Sequence, residues 1–412
     1  MPNKSVIKNF DNDLELCFNY LYNQKSILSI ADQKPSIFEI IRNYSQENTD
    51  FKHKYPYTLI FKLTSDCNLR CKHCFFYNQP QKYCPDKDLT YEQIHKILKY
   101  FIEEANIVNC ILTGGEIFTL PHLKEIIKYI KSSNVILELL TNGTLINKDY
   151  TQFLCDTLNK KTDHIQISLD GTEEINDLIR GKGNFQKTIN NIRDLTDKGI
   201  KVCVALTLNS SNINNLEQIY ELCCSIGVYQ LNLGKVIICN PEQEYLRVKT
   251  RDIITNISKI LRINEKYNMR IKIRALKIFD FIEFKKGQEL LDKILKNNQS
   301  NNLDKNYHCK VNDEQVTIFA NGDVSLCYDC DQEEMYIGNL KDQTFDEIWS
   351  GKDDKLMFQY RSLDKNCKNC DYISLCNGGC PYAAYNKYKT INAPDGNCTL
   401  AAKMIQAKKW EI

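Results

Sequence analysis

Between residues 57 and 240, short β-rich runs alternate with stretches of helical periodicity, and this alternation constrains the chain more than anything else in it. The runs are "TLIFKL" (58–63), "VNCIL" (108–112), "VILELL" (135–140), "HIQISLDG" (164–171), "KVCVALTL" (201–208) and "YQLNLGKVII" (229–238). After the first, "LTYEQIHKILKYFIEEAN" places Ile94, Ile97, Leu98, Phe101 and Ile102 on one helical face, with Thr90 and Gln93 at capping-box spacing. Pro121, tolerated in a first helical turn, precedes Leu123, Ile126, Ile127 and Ile130. Strands separated by helices form parallel βαβ units, so an α/β fold is expected, either barrel-like or doubly wound. Four of the runs end in a polar or glycine-bearing motif: a cysteine knot, Thr113-Gly114-Gly115-Glu116, Thr141-Asn142-Gly143 and Ser168-Leu169-Asp170-Gly171. Parallel α/β folds build their sites at that carboxyl edge, so the four motifs are expected at one mouth.

The knot, "CNLRCKHC" at 67–74, packs three thiols into eight positions of a chain that holds 19 cysteines. The opening "MPNKSVIKNFDNDLEL" lacks the features of a secretory signal, and no window approaches the ~18 apolar residues of a membrane span. With 54 basic against 52 acidic side chains, no global field draws the chain to nucleic acid or to an anionic membrane. A cytoplasmic location is expected, where clustered cysteines bind metal or catalyse rather than form disulfides. Structural zinc takes four protein ligands, so three thiols imply either an open metal position or a distant fourth ligand such as His73 or His53. A second crowd, Cys309, Cys327, Cys330, Cys367, Cys370, Cys376, Cys380 and Cys398, occupies the last quarter. That segment is poor in apolar residues, so metal is expected to help it fold. Cys17, Cys84, Cys110, Cys155, Cys203, Cys223, Cys224 and Cys239 are scattered, several in apolar runs, and read as small buried hydrophobes.

The spacing C-x3-C-x2-C after a strand, together with the glycine motif after the next, resembles the radical S-adenosylmethionine (SAM) superfamily. That resemblance implies a partial (β/α)6 barrel of the TIM type and a [4Fe–4S] cluster on Cys67, Cys71 and Cys74 whose fourth iron chelates SAM. It further implies SAM contacts from His73, Gly114, Gly115, Glu116, Asn142, Ser168 and Arg180. The later order C309-x12-G322-x4-C327, C367-x2-C370-x5-C376-x3-C380 and C398 resembles the SPASM extension of that superfamily. By matching positions, Cys367, Cys370, Cys376 and Cys398 hold an outer auxiliary cluster, and Cys309, Cys327 and Cys380 an inner one. Either Cys330 or a substrate thiolate completes the inner cluster, for three [4Fe–4S] clusters in all.

SPASM enzymes mostly modify peptides, which implies a precursor peptide as substrate and a flavodoxin or ferredoxin as low-potential electron donor. The reaction expected is an oxidative C–S or C–C cross-link. Oxidation of Cys or Ser to formylglycine, as in anaerobic sulfatase maturases, is the alternative, and a non-enzymatic iron–sulfur or zinc scaffold a third. Sulfatase maturases carry an aspartate directly after the cysteine matched by Cys327; here Tyr328 stands there and Asp329 follows, making both candidate catalytic side chains. The expected organisation is a small α+β segment over 1–55, a barrel over 56–300 and the SPASM domain over 301–412. The first segment is read as strands at "CFNYLY" and "SILSI" and a helix at "SIFEIIRNY", a peptide-recognition-like arrangement. "LKNNQSNNLDKN" reads as the linker before the last domain.

Overall fold

The computed structural model describes residues 4–27, 55–75, 77, 87–238, 240–268, 270–276, 278–297, 315–328, 333–352 and 362–406. It divides into two compact units, one of Pro56–Ala275 with Lys310–Tyr360, the other of Met1–Tyr55, Leu276–Cys309 and Arg361–Ile412. No described helix is long and apolar enough to cross a membrane.

The first unit is built on one sheet. Its strands are β1 (Thr58–Thr64), β2 (Asn109–Gly114), β3 (Ile136–Thr141), β4 (His164–Ser168), β5 (Val202–Leu208), β6 (Gln230–Lys235), β7 (Lys272–Arg274), β8 (Gln315–Ile318), β9 (Asp323–Ser325) and β10 (Tyr336–Asn339). The spatial order is β10-β9-β8-β1-β2-β3-β4-β5-β6-β7. β1 to β7 pair in parallel with successive neighbours, β8 joins β1 in parallel, and β9 runs antiparallel to β8 and β10. β7 and β10 end the sheet without meeting, so it is an open, partial barrel of mixed α/β class. The six strands read from the sequence are β1 to β6; β7 to β10 are additional, each only three or four residues long.

Local chemistry accounts for these elements. β1 is buried along its whole length, whereas β3 and β4 alternate, with Leu137, Leu139, Ile165 and Ile167 inaccessible and their neighbours half-exposed. That period of two is what one apolar face and one partly accessible face require. The helix Tyr91–Lys99 starts at the expected capping box of Thr90 and Gln93 and buries Ile94 and Leu98. It continues into one π turn, Tyr100–Glu104, and Phe101 is sealed 4.6 Å from the Phe345 ring. Ile126, Ile127 and Ile130 lie buried on the helix Leu123–Lys131, as their spacing requires, with Pro121 just ahead of it. Of the scattered cysteines, Cys17, Cys110, Cys203, Cys223 and Cys224 are buried and Cys155 is half-buried; Cys84 and Cys239 lie outside the described residues.

The second unit is helical among the described residues. "CFNYLY", expected as a strand, lies inside the helix Lys4–Ile27. Its aromatic residues favour strand locally, yet Phe10, Leu14, Cys17 and Phe18 recur at helical spacing and are buried together. Phe10 meets Phe284 at 4.8 Å, Phe18 meets Phe281 at 5.2 Å, and Glu15 pairs with Lys286 at 3.1 Å. The rest of "SILSI" beyond Ile27, the "SIFEIIRNY" helix and most of the expected linker lie outside the described residues.

One buried ion pair holds the strand ends opposite the mouth. Asp163, 1% exposed, accepts from Lys131 Nζ at 2.8 Å, from Leu137 N at 3.0 Å and from Asn159 N at 2.8 Å. Asp163→Ala strands a buried ammonium and two amides, and it should lower unfolding free energy by about 3–5 kcal/mol in denaturant titration.

Candidate functional site

The cysteine loop begins where β1 ends, and its entry is pinned by one carboxylate. Asp88 accepts from Thr64 Oγ1 (3.0 Å), Ser65 N (2.7 Å) and Ser65 Oγ (2.9 Å). The β2 exit lies directly on this segment: Gly115 N donates to Thr64 O at 2.7 Å and Glu116 N to Asp66 O at 2.8 Å. A Cβ on Gly115 would sit 2.1 Å from Asp66 O, and one on Gly114 (φ +142°) 2.4 Å from Thr64 O. Two residues without side chains are what this approach of backbones demands.

Each thiol of the loop faces an N–H donor. Cys67 Sγ accepts from Leu69 N at 3.4 Å and stands 4.0 Å from Asn142 Nδ2; Cys74 Sγ accepts from Tyr77 N at 3.4 Å. Cys71 Sγ lies 3.9 Å from Arg180 Nη1. Burial pushes the Cys71 thiol up to about 11, with Arg180 pulling the other way and the Cys74 and Cys67 charges adding to the rise. Burial likewise raises Cys67, where the Leu69 amide opposes it. Three mutually interacting thiols within reach of a cation and several amides suit thiolates bound to a positive metal centre.

Behind the loop stands Asp170, which sequence reasoning passed over although it follows Ser168 by two places. It is fully buried and accepts from His73 Nε2 at 2.6 Å, Arg180 Nε at 2.6 Å and Thr207 N at 2.9 Å. Burial alone would raise its carboxyl; Arg180 and His73 override that and hold it well below the usual carboxylate range. The loop between Cys71 and Cys74 is clamped further by Lys72 N on Ile179 O (3.0 Å) and by Gln243 Nε2 on Lys72 O (2.8 Å). His73 Nδ1 is buried with no hydrogen-bond partner among the described residues. An orphaned polar atom beside three thiols fits a bound group that is polar as well as metallic.

The other expected residues gather at the same edge. Asn142 joins Asn68 Oδ1 at 2.9 Å through its side-chain amide. Ser168 ends β4, half-buried, in register with Ala205. Glu116 is turned inward, 1% exposed, and accepts from Thr141 Oγ1 (2.7 Å), Asn142 N (2.7 Å) and Phe118 N (3.1 Å), while burial raises its carboxyl. Its carboxylate therefore braces the β3 exit. Tyr328 follows Cys327 after β9 and is held by Lys62, whose ammonium donates to Tyr328 O at 2.9 Å and lies 4.4 Å from the Tyr328 ring centre. Lys62 was hidden in an apolar run; a lysine 4% exposed in a wholly buried strand is the signal that marks it. Asp329, Cys330 and Cys309, and also His53, lie outside the described residues.

In the second unit Cys367, Cys370, Cys376 and Cys398 line one cavity, joined by Asp395 and Tyr372. Asp395, 2% exposed, accepts from Cys380 N at 2.7 Å and Asn397 N at 2.7 Å, fixing the turns that carry the thiols. Cys380 caps the helix Pro381–Tyr388 through its sulfur. Among the described residues no three His, Cys, Asp or Glu side chains stand as a set for a single ion. The four thiols nonetheless line one shared space.

Comparison with known proteins agrees with this geometry. Residues 61–223 match the Radical SAM superfamily, and residues 309–371 match the SPASM iron–sulfur cluster-binding domain. A cysteine-type anaerobic sulfatase-maturating enzyme of Clostridium novyi is 27% identical, covering 82% of this chain and 90% of its own length. An Fe-coproporphyrin III synthase of Methanosarcina barkeri is 24% identical, covering 86% and 90%. The solved structure of Streptococcus suis SuiB bound to its precursor peptide SuiA shares the fold, with a TM-score of 0.67 at 15% identity over 87% of this chain and 79% of that one.

Gly115→Ala should displace Asp66 and distort the loop; iron and sulfide content after anaerobic reconstitution should fall severalfold while far-ultraviolet circular dichroism is unchanged. Asp170→Asn breaks a buried pair and should lower stability by about 3–5 kcal/mol at neutral pH. Because the Asp170 carboxyl is depressed in the folded state, that contribution is complete above the ordinary carboxylate value and fades as pH falls below about 4. Urea unfolding of the wild type and of Asp170→Asn should therefore converge in acid.

Proposed function

The chain belongs to the radical SAM superfamily and carries a SPASM domain, and from that premise we propose that it is a maturase that oxidatively cross-links residues of a ribosomally made precursor peptide. Membership implies SAM and iron–sulfur clusters. Bound at the mouth, they would supply a 5′-deoxyadenosyl radical to remove one hydrogen atom from the substrate, the second leaving as a proton and an electron that the auxiliary clusters would accept.

The protein's own part is holding and orienting. Cys67, Cys71 and Cys74 hold the cluster, and the Asp170 carboxylate keeps Arg180 charged and aimed at the loop. Arg180, Asn142, Ser168 and the glycine edge of β2 contact SAM, with His73 on its adenine side. Glu116 supports that surface from behind. Cys367, Cys370, Cys376 and Cys398 hold an outer auxiliary cluster. Cys309, Cys327 and Cys380 hold an inner one that Cys330 or a substrate thiolate completes, giving three clusters. A flavodoxin or ferredoxin delivers the electron, in the cytoplasm. Tyr328, held by Lys62 and following Cys327 in the chain, meets the substrate together with Asp329 in this reading. The observation that carries the reading is the convergence of three thiols, an orphaned histidine nitrogen and a buried Asp–Arg pair at the carboxyl edge of a parallel sheet.

Formylglycine formation is the second reading, favoured by the likeness to the Clostridium enzyme and weakened by tyrosine at position 328. A non-enzymatic scaffold does not fit a member of this superfamily.

Anaerobic reduction with SAM should yield 5′-deoxyadenosine, and Cys71→Ala should lower that yield at least a hundredfold. Co-expression with a short peptide encoded beside this chain should give a product lighter by two hydrogens in mass spectrometry. An unchanged peptide mass, with SAM still cleaved, would count against the cross-linking reading.

A further inference from the structure

One face of β4 to β7, Ser168 apart, takes no part in the chemistry above. Register aligns Gln166, Cys203, Gln230 and Lys272 in one row. Two residues nearer the cysteine loop it aligns Ser168, Ala205, Asn232 and Arg274. In-register neighbours share a face of a sheet. The residues between them, among them Ile167, Val204, Leu231 and Ile273, are buried and form the apolar face. Ala205 and Cys203 apart, the two rows are polar, and all but the buried Cys203 are half-buried or exposed. Barrel interiors of this kind are ordinarily filled by Val, Ile and Leu, so a polar lining asks for a polar occupant.

The lining consists of donors. Gln230 Nε2 donates to Asn232 Oδ1 at 2.7 Å, and Asn232 Nδ2 donates to Gln166 Oε1 at 2.7 Å. The chain of amides ends on the Gln166 NH2 group, which has no acceptor among the described residues. Arg274, in register with Asn232, is exposed and has no hydrogen-bonding or ionic partner among them. Neither row contains a carboxylate; Glu138 of β3 is engaged with His164 at 3.1 Å, and Asp170, two residues beyond Ser168, with Arg180 and His73 at 2.6 Å each. The Cys203 thiol is pushed up to about 12 by burial, with Glu138 adding to the rise and Lys201, Lys272 and Arg274 opposing it. Above the amides there is room: Ser168 and Ala205 are small, and a Cβ on Gly234 would meet nothing within 4 Å. The rows lie about 6.5 Å apart along the strands.

We propose that Gln166, Asn232 and Arg274 form a subsite for a carboxylate of the substrate, carried on an acidic side chain of the peptide. The carboxylate takes the amide hydrogens and the guanidinium, and its carbon chain occupies the Ser168–Ala205 layer beside Asp170 and Arg180. The subsite names the substrate's chemistry; the peptide as carrier rests on the function proposed above.

The test uses the full chain, reconstituted anaerobically with iron, sulfide and SAM. It is titrated by fluorescence anisotropy with labelled, C-terminally amidated Gly-Tyr-Gly-Glu-Gly-Tyr-Gly and with the glutamine counterpart. The glutamate probe should bind about tenfold or more tightly. Arg274→Ala should shrink that preference to under about twofold and Arg274→Lys should restore part of it, with the SAM-induced change in the cluster's paramagnetic resonance spectrum unaltered in both. A glutamine probe with a free C-terminus that binds in an Arg274-dependent way supports the subsite and moves the carboxylate to the chain end. Arg274-dependent binding of coproporphyrin III, with neither peptide bound, keeps the subsite and overturns the peptide carrier. Equal affinity for the two amidated probes, a glutamate preference that survives Arg274→Ala, or no Arg274-dependent binding of any probe overturns the subsite.

Discussion

The site depends on one buried charge. A carboxylate without water is costly by several kcal/mol unless it is paired and hydrogen-bonded, and Asp170 sits at zero exposure. It meets that requirement with a guanidinium, an imidazole and a backbone amide drawn from three places: the helix Glu173–Arg180, the cysteine loop and β5. Arg180 is thereby brought to the second thiol of the loop and His73 is held between the second and third. The arrangement of the cysteine loop is thus imposed from the β4 and β5 exits as much as from its own sequence.

Comparable bracing operates on the other side. The β2 exit presses its backbone onto the β1 exit because Gly114 and Gly115 carry nothing that would keep them apart. Glu116 then reaches the β3 exit, and Asn142, whose amide it fixes, reaches Asn68 inside the loop. Three strand ends, those of β1, β2 and β3, are joined by polar groups, most of them satisfied within the protein. Such networks specify one geometry because an alternative would leave buried donors unpaired.

Much of this was legible in the chain. Strand followed by polar motif is a local pattern, and the helix of Ile94 and Leu98 began at the expected cap. The four thiols assigned to one outer cluster do share a cavity. What escaped was long-range or short. Asp170 and His73 lie 97 positions apart, and no spacing rule links them. Lys62 finds Tyr328 across 266 positions. β7 to β10 are too short to show a period, and β7 and β8 owe their parallel pairing to β6 and β1, strands distant in sequence. "CFNYLY" failed for a different reason: aromatic residues satisfy strand propensity and a helical stripe alike, and tertiary packing against Phe281 and Phe284 decided between them.

The last parallel strand illustrates a second use of charge. β7 spans three residues, two of them Lys272 and Arg274, and ends the sheet among the described residues. A bare strand edge invites another chain to add on, and brevity combined with cationic side chains discourages it. A second copy of the protein approaching that rim would confront like charge at the moment of contact. Like charge at that rim therefore opposes the edge-to-edge pairing of two copies through β7.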